Sequence, residues 1–155
     1  MLTRSIFSLI ILASLAILPG QVIAQKAEAD AVLGVWKNGE GTALVQITKK
    51  EDAKYYGKIV WLKIPNNDQG KPKVDINNPD EKLRSRPLKG MENMRSFSYK
   101  GDGLWEDGQI YDPKNGNDYS CKMTLTDPNT LEVRGFIGIS LLGRTDVWKR
   151  QQKKS

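Results

Sequence analysis

The stretch DYSCKMTLTD, residues 118–127, alternates between two kinds of side chain along its whole length. One set is apolar or aromatic and comprises Tyr119, Cys121, Met123 and Leu125. Successive side chains of a β-strand point to opposite faces, so this period of two predicts a strand with one buried face. It also predicts that Cys121, the only cysteine of the chain, is a buried thiol and not a nucleophile.

Further segments with strand character lie on both sides of this stretch and are separated by turn residues. They are residues 42–49, 55–63, 104–112, 130–139 and 143–150. The turn sequences include Asp-Pro followed by Asn-Gly, which is typical of tight hairpins because Asn and Gly tolerate a positive φ. Strands that recur at roughly 8–12-residue spacing, without helical segments between them, are typical of an all-β sandwich or barrel.

The tripeptide Val-Trp-Lys occurs twice, at residues 35–37 and 147–149, in different flanking sequences. We interpret the two copies as parts of the first and last strands and not as a repeat. Such strands lie side by side and antiparallel when an up-and-down sheet closes on itself. The predicted fold is therefore all-β, a single antiparallel up-and-down β-barrel of about eight strands over residues 33–150.

Segments that together cover nearly the whole chain after its N-terminal stretch resemble the bacterial family called domain of unknown function 2147. They are GVWK (34–37), GKIVWLKIP (57–65), NPDEKLRSRPLKG (78–90), GDGLWEDGQIYDPKNGNDYSCKMTL (101–125) and LEVRGFIGISLLGRTDVWKR (131–150). The resemblance implies an exported protein with a lipocalin-like or fatty-acid-binding-protein-like barrel. It implies no particular biochemical activity.

Gly34-Val35-Trp36 is also similar to the Gly-x-Trp motif that opens the first strand of lipocalins. In that superfamily the tryptophan closes one end of the barrel, and an arginine from the end of the chain packs across it. The resemblance therefore implies that Gly34 and Trp36 close the barrel, with Arg144 or Arg150 over the indole. The chain lacks a second lipocalin motif and a disulfide, which leaves the ligand class open.

The candidate ligand-binding residues are strand aromatics and two loop arginines. The aromatics are Trp61, Trp105, Tyr111, Tyr119 and Phe136. They either line a cavity for an apolar ligand or fill a solid core, since barrels of this size occur with both kinds of interior. The arginines, Arg84 and Arg86, belong to a long polar segment, residues 64–90, that we predict to be an elaborated loop over one barrel end. They either clamp a carboxylate or phosphate or pair with Asp80 or Glu81.

The first 24 residues have the pattern of a secretory signal peptide, with Arg4 before an apolar stretch and small residues before a cut predicted after Ala24. The apolar stretch is shorter than the roughly 20 residues of a membrane-spanning helix, so we predict no stable membrane insertion after cleavage. A polar leader, residues 25–32, precedes the barrel, and a basic tail, residues 151–155, follows it. No cysteine follows the cut. We expect a periplasmic or secreted protein without a lipid anchor.

Composition narrows the function classes. The 155-residue chain has a formal net charge of +6 and no histidine. Without histidine the usual catalytic triads and most zinc sites cannot form, and we predict no metal and no cofactor. Basic residues are mixed with acids and do not cluster with stacking aromatics, so we predict no nucleic-acid partner.

We therefore predict a non-catalytic protein that binds a small apolar or amphipathic molecule in its barrel. One alternative is an envelope protein with a filled barrel that binds a partner through its long loop. Another is a carboxylate-based hydrolase that uses Glu106, Asp107 and Asp112, which requires two carboxylates facing one cleft. The sequence leaves the ligand and the oligomeric state open.

Overall fold

The structure is a computed structural model that describes residues 19–152. Most of the predicted signal peptide (1–18) and the end of the basic tail (153–155) lie outside the described residues. The described chain begins with helix α1, Pro19–Ala29, and a 3₁₀ turn, Asp30–Val32. The polar leader is therefore helical throughout. Proline suits the first helical position, because its missing N–H would have no partner there.

Eight strands follow and form one closed antiparallel barrel in which every strand pairs with its neighbours in sequence. They are β1 Gly34–Lys37, β2 Ala43–Lys49, β3 Tyr55–Leu62, β4 Glu92–Gly101, β5 Leu104–Asp112, β6 Asn117–Asp127, β7 Thr130–Phe136 and β8 Arg144–Arg150. The barrel closes between β1 and β8, where Trp36 lies opposite Arg150 and Lys37 opposite Lys149. The predicted up-and-down barrel is confirmed, and its seam joins the two Val-Trp-Lys copies.

The alternating strand direction sorts the connections into two ends. The end with residues 38–42, 63–91, 113–116 and 137–143 is called the open end. The end with the turns 50–54, 102–103 and 128–129, together with the N-terminal helical segment, is called the closed end. The connection 63–91, called the long loop, contains a short 3₁₀ turn, Glu81–Leu83, capped by the Asp80 side chain.

The hydrophobic core fills the closed half of the barrel. Its largest completely buried side chains are Trp36, Trp105, Tyr55, Phe97, Met94, Met123 and Leu131. Trp105 meets Tyr55 edge to face, with ring centroids 6.1 Å apart. Burial of each large apolar side chain contributes about 1.5–3 kcal/mol to the free energy of unfolding. The closed half is therefore a solid, aromatic-rich core.

Strand β4 lacks the regular alternation of the other strands, and its sequence gave no strand prediction. Asn93 and Met94 are both buried, and Ser96 has a φ of 62° in the middle of the strand. The register with β3 shifts between Gly57 and Lys58, which indicates a β-bulge at Asn93. An extra residue in a strand reverses the facing of the residues beyond it, so a period of two cannot be read across it.

Strand β7 ends at Phe136, three residues before the predicted end at residue 139. Gly138 takes a φ of 74°, and residues 140–142 form a 3₁₀ turn, so the chain leaves the sheet before Ile139. Within residues 19–152, the structure contains no helix with the length and apolar character needed to cross a bilayer.

Candidate functional site

A cavity of about 810 Å³ opens at the open end of the barrel. Its deep walls are formed by inward-facing apolar side chains that include Val45, Ile110, Val133 and Trp148. The sequence left undecided whether the barrel is open or filled. The structure contains both arrangements, a solid core in the closed half and a cavity in the open half.

The amide of Asn93 introduces polarity into the buried wall of this cavity. Asn93 is only 7% exposed, and its side-chain oxygen has no hydrogen-bond partner among residues 19–152. The β-bulge of β4 places this residue inward next to Met94, where regular alternation would have turned one of the two outward. Burying an amide oxygen without a partner costs roughly 1–3 kcal/mol, so Asn93 is a polar group of the cavity wall that the fold itself leaves unsatisfied.

Charged side chains surround the mouth. Lys114 in the β5–β6 turn forms an ion pair with Glu40 in the β1–β2 turn, with 2.6 Å between Nζ and Oε2. The hydrogen bond from Lys114 and its positive charge lower the pKa of Glu40. Asp146 accepts hydrogen bonds from Trp148 Nε1 at 2.7 Å and from the backbone N–H of Gly39 at 3.3 Å. The mouth therefore offers both signs of charge to the polar part of a ligand.

The long loop is fixed beside the mouth by a buried carboxylate. Asp75 accepts hydrogen bonds from Tyr111 Oη at 2.7 Å, Asn78 Nδ2 at 2.8 Å and Arg86 Nη2 at 2.6 Å. Burial alone would raise the pKa of Asp75, but these hydrogen bonds and the Arg86 charge outweigh it and hold the pKa below its usual value. Burial, together with the hydrogen bond to Asp75, raises the pKa of Tyr111 to about 12. Tyr111 therefore stays a neutral donor.

A second contact docks the long loop on the β5–β6 turn. The Asn77 side-chain amide donates to the carbonyl oxygens of Pro113 and Lys114, at 3.0 and 3.1 Å. Gly116, with a φ of 74°, lets the Asn77 backbone approach so closely that a Cβ on residue 116 would overlap the Asn77 carbonyl oxygen. The Asn-Gly turn predicted as hairpin chemistry thus also makes room for the long loop.

The predicted aromatic residues fall into three groups. Tyr111 and Tyr119 line the cavity. Phe136 follows inward-facing Gly135 and lies at the rim, where it borders both the cavity and a smaller depression of about 310 Å³ on the outside of the sheet. Trp105 belongs to the closed-end core, packed against Tyr99 at 5.0 Å between ring centroids, and does not line the cavity.

The prediction that Trp61 lines the cavity is wrong. Its side chain is 42% exposed on the outer face of the barrel. Val45 pairs with Ile59 whereas Leu44 pairs with Trp61, so Val60 is an extra residue in β3. This β-bulge reverses the facing of the strand beyond Ile59 and turns Trp61 outward.

The two loop arginines form ion pairs within the long loop and do not line the cavity. Arg84 Nη1 lies 3.1 Å from Glu81 Oε1, which is one of the pairings considered from the sequence. Arg86 pairs instead with Asp75, whose carboxylate is completely buried. The structure thus offers no ligand clamp made of Arg84 and Arg86.

Arg150, and not Arg144, packs over Trp36. The Arg150 guanidinium carbon lies 4.1 Å from the centroid of the Trp36 ring. Gly34 has a φ of 129°, and a Cβ there would come within 2.9 Å of Arg150 Nη1, so the glycine leaves room for the guanidinium. Arg144 cannot take part because it begins β8 at the open end, where it borders the cavity.

The candidate carboxylates do not face one cleft. Glu106 and Asp107 border the small outer depression, and Asp107 pairs with Lys100 at 2.6 Å. Asp112 lies at the mouth of the main cavity, where its side chain accepts the backbone N–H of Lys114 at 2.9 Å. Cys121 is buried, and burial raises the pKa of its thiol to about 12, so it is not a ready nucleophile.

Sequence reasoning missed several cavity residues. Val45, Val133 and Trp148 occupy inward positions of predicted strands. The period of two therefore predicts that they are buried, but it does not distinguish residues of the cavity wall from residues of the core. No sequence pattern indicates that Asn93 faces the cavity, because its orientation depends on the β-bulge in β4.

A closed eight-stranded antiparallel barrel with a cavity at one end defines the lipocalin-like class of β-barrels. The structure is similar to that of protein HP1028 from the human pathogen Helicobacter pylori, which is described as belonging to the lipocalin family. The TM-score is 0.70 with 22% sequence identity, over 79% of this chain and 84% of that chain. This likeness concerns the fold.

The sequence itself places the chain in a particular family. Residues 34–150 match the model of the uncharacterized proteins conserved in bacteria named DUF2147. The chain belongs to this family, which confirms the resemblance found in its motifs. No curated protein shows significant similarity to the chain.

Proposed function

We propose that this protein is an exported, non-catalytic binding protein that holds a small amphipathic molecule in the open half of its barrel. The observation that carries this proposal is the cavity of about 810 Å³ with the unpartnered amide of Asn93 in its buried wall. Cavities for small molecules typically enclose roughly 300–1,000 Å³ and combine apolar walls with a few polar groups that fix orientation.

The distribution of polarity supports an amphipathic ligand. Val45, Val133 and Trp148 offer apolar walls for a hydrocarbon or ring system. Asn93 and the charged mouth offer partners for hydroxyl, amide or charged groups. The Asn93 oxygen is covered in this structure, and a rotation of the side chain toward the cavity would bring it to a ligand donor and would offset the cost of burying it without a partner.

The arrangement of reactive groups supports a non-catalytic role. Tyr111 is the most buried titratable group on the cavity wall, and its hydroxyl donates a hydrogen bond of 2.7 Å to Asp75. Asp112 and Asp146 each accept hydrogen bonds from backbone or indole N–H groups, so these carboxylates stabilise the structure around the mouth. A hydrolase would need two carboxylates on either side of one bond.

Export is supported by the N-terminal sequence pattern and is compatible with the described fold. A cut after Ala24 would leave Ala29 and Val32, which are buried at the closed end. It would also leave the Ala31 and Leu33 carbonyl oxygens, which Arg150 binds at 2.6 and 2.7 Å. The mature chain would therefore keep these closed-end contacts and lose only residues 19–24 of helix α1.

Filling the cavity tests the proposal. Gly135 faces the cavity, and a Cβ there would meet nothing closer than 3.6 Å, so Gly135→Leu should project into the cavity without a clash. Native mass spectrometry and solvent extraction of protein purified from its own cell envelope should show a stoichiometric small molecule, and Gly135→Leu should lose at least roughly nine-tenths of it, about 1.4 kcal/mol of binding.

The control is Glu132→Leu, which adds the same side chain to the exposed outer face of β7 and should retain the molecule. Protein that is empty in both wild-type and control preparations, or a Gly135→Leu variant that retains the molecule fully, would contradict ligand binding in this cavity.

Asn93 gives a second test that separates binding from stability. Asn93→Leu removes a buried amide that lacks a protein partner, so unfolding of the ligand-free variant by urea should require about 1 kcal/mol more free energy. The same variant should retain roughly tenfold less of the molecule, because a lost hydrogen bond in a buried site is worth about that factor. A variant that is less stable and still binds normally would show that Asn93 serves the fold.

A further inference from the structure

The β7–β8 connection exposes an unusual amount of apolar surface. Residues 137–142, here called the apolar loop, have the sequence IGISLL. Their large side chains are Ile137, Ile139, Leu141 and Leu142, with exposed fractions of 75, 60, 81 and 79%. A contiguous exposed apolar patch on a single-domain protein commonly marks a site of protein or membrane contact.

The apolar loop is held in this outward arrangement by its backbone. Arg134 on β7 donates from Nε to the Ser140 carbonyl oxygen at 2.7 Å and from Nη2 to the Leu141 carbonyl oxygen at 3.0 Å. It also donates from Nη1 to the Thr145 hydroxyl at 2.7 Å. Arg134 thus fixes the backbone of the apolar loop, while the Leu141 and Leu142 side chains remain exposed.

The apolar loop also borders the cavity. Ile137 and Leu142 contribute to the cavity lining at the mouth, next to Arg144 and Phe136. A surface that covered the apolar loop would therefore also face the opening through which a ligand enters and leaves.

Charge distinguishes the two ends of the barrel. The long loop, at the same end as the apolar loop, contains seven lysines and arginines and four acids. The three turns at the closed end contain two lysines and three acids. A net positive connection and an apolar tip at the same end of the barrel are together complementary to a bilayer containing anionic lipid, whose interior is apolar and whose surface is negative.

We propose that the apolar loop inserts reversibly into the surface of an anionic lipid bilayer, with the cavity mouth facing the membrane. A stable protein interface needs roughly 1,000 Å² or more of complementary surface. Four apolar side chains on a protruding six-residue loop form a narrow tip. Such a tip suits the boundary between head groups and acyl chains, roughly 5–10 Å deep. Lysines and arginines of the long loop add attraction that weakens with salt.

The test is flotation of the purified mature protein, without the apolar stretch of the predicted signal peptide, with vesicles of phosphatidylcholine, with and without phosphatidylglycerol. The protein should float with the anionic vesicles, and less so at high salt. Leu141→Ser/Leu142→Ser should lower the partition coefficient roughly tenfold or more, because it removes the two most exposed apolar side chains. Val147→Ser, which removes an exposed apolar side chain from the barrel wall, should float like the wild type.

A second double variant, Ile137→Ser/Ile139→Ser, should behave like the leucine variant, and circular dichroism should verify that both are folded. The proposal is overturned if the protein does not float, or if it floats equally well without the apolar side chains. It is also overturned if sedimentation shows a dimer that the leucine variant dissociates, since the apolar loop would then bind a second copy.

Two variants distinguish a failure of the membrane proposal from a failure of the ligand proposal, on which it does not depend. Gly135→Leu should float normally while losing the cavity ligand, because residue 135 faces the cavity and the apolar loop is left unchanged. A variant at the two apolar-loop residues that do not line the cavity, Ile139→Ser/Leu141→Ser, should lose flotation and, preloaded by purification from the envelope, should keep the ligand in vesicle-free buffer.

Discussion

Replacing Trp36 with alanine should lower the free energy of unfolding by about 3–5 kcal/mol. The Trp36 indole is completely buried, and its Nε1 donates to the Val32 carbonyl oxygen at 2.8 Å. Alanine would leave a cavity among the closed-end aromatics and remove the hydrogen bond that ties the 3₁₀ turn to β1. Loss of large buried side chains costs both the transfer free energy and the cavity term.

Trp36 also supports the arginine that closes the seam. Arg150 lies over the ring and donates to the carbonyl oxygens of Pro128, Leu33 and Ala31, at 2.6, 2.7 and 2.6 Å. Its guanidinium thus joins the β6–β7 turn to the segment before β1. Without the indole the cation would lose its apolar and π contact, so the effect should extend to the pairing of β1 with β8.

Urea unfolding of Trp36→Ala and Trp61→Ala provides a matched comparison. Trp61 is 42% exposed on the outer face of β3, so its loss should cost below about 1 kcal/mol. Equal destabilisation by the two substitutions would contradict the closed-end role of Trp36. Hydrogen exchange should locate the added opening of Trp36→Ala at β1 and β8, because those strands meet at the seam.

The fold was predictable where strands are regular. Cys121 and Met123 alternate with polar residues in β6, and both are buried as the period of two requires. The seam was predictable because an up-and-down barrel has only one way to pair its first and last strands. These inferences use local periodicity and chain order, both of which are properties of the sequence.

The cavity was less predictable because two β-bulges decide which residues enter it. One extra residue in β3 turns Trp61 outward, and another in β4 turns Asn93 inward. A bulge changes facing without changing composition, so side chains beyond it are assigned to the wrong face when the alternation is extended. Trp61 was therefore among the candidate residues and Asn93 was not, whereas the candidates Tyr111 and Tyr119 do line the cavity.

The long loop shows a second limit of sequence reasoning. Arg84 pairs with Glu81, a neighbour within one 3₁₀ turn, and this pairing is one of the alternatives that proximity in sequence suggests. Arg86 pairs with Asp75, eleven residues earlier, where the loop folds back and Val74 bridges to Pro87. The loop folds back where Asp75 contacts Tyr111 on β5, and no periodic pattern in the sequence predicts such a tertiary contact.

Replacing Asp75 with alanine should be the most disruptive change outside the closed end. The carboxylate is completely buried and holds Tyr111, Asn78 and Arg86 together. Its removal leaves a buried hydroxyl and a buried amide without their acceptor and a guanidinium without its counterion. Breaking a buried ion pair by removing one partner costs about 3–5 kcal/mol. Arg86 is partly exposed and can rehydrate, so the lower end, about 3 kcal/mol, is expected.

Acid should remove the same stabilisation in the wild-type protein. Hydrogen bonds and the Arg86 charge overcome the effect of burial and hold the pKa of folded Asp75 below its usual value, which in unfolded chains is about 3.9. A depressed folded pKa stabilises the native state above the unfolded pKa, and this contribution is lost as the pH falls through the folded pKa. The stability difference between wild type and Asp75→Asn should be constant from neutral pH down to about 5 and should shrink below about 4.

Hydrogen exchange and urea unfolding together separate local from global effects of Asp75→Ala. Exchange should rise most in residues 74–87, where the Asp75 N–H donates to the Arg86 carbonyl oxygen at 2.9 Å. Glu81→Ala is the control, since it removes an exposed ion pair in the same loop and should cost below about 1 kcal/mol. If Asp75→Ala matched this control, the long loop would be held mainly by the Asn77 contacts with the β5–β6 turn. Tyr111 would then not depend on Asp75 for its place on the cavity wall.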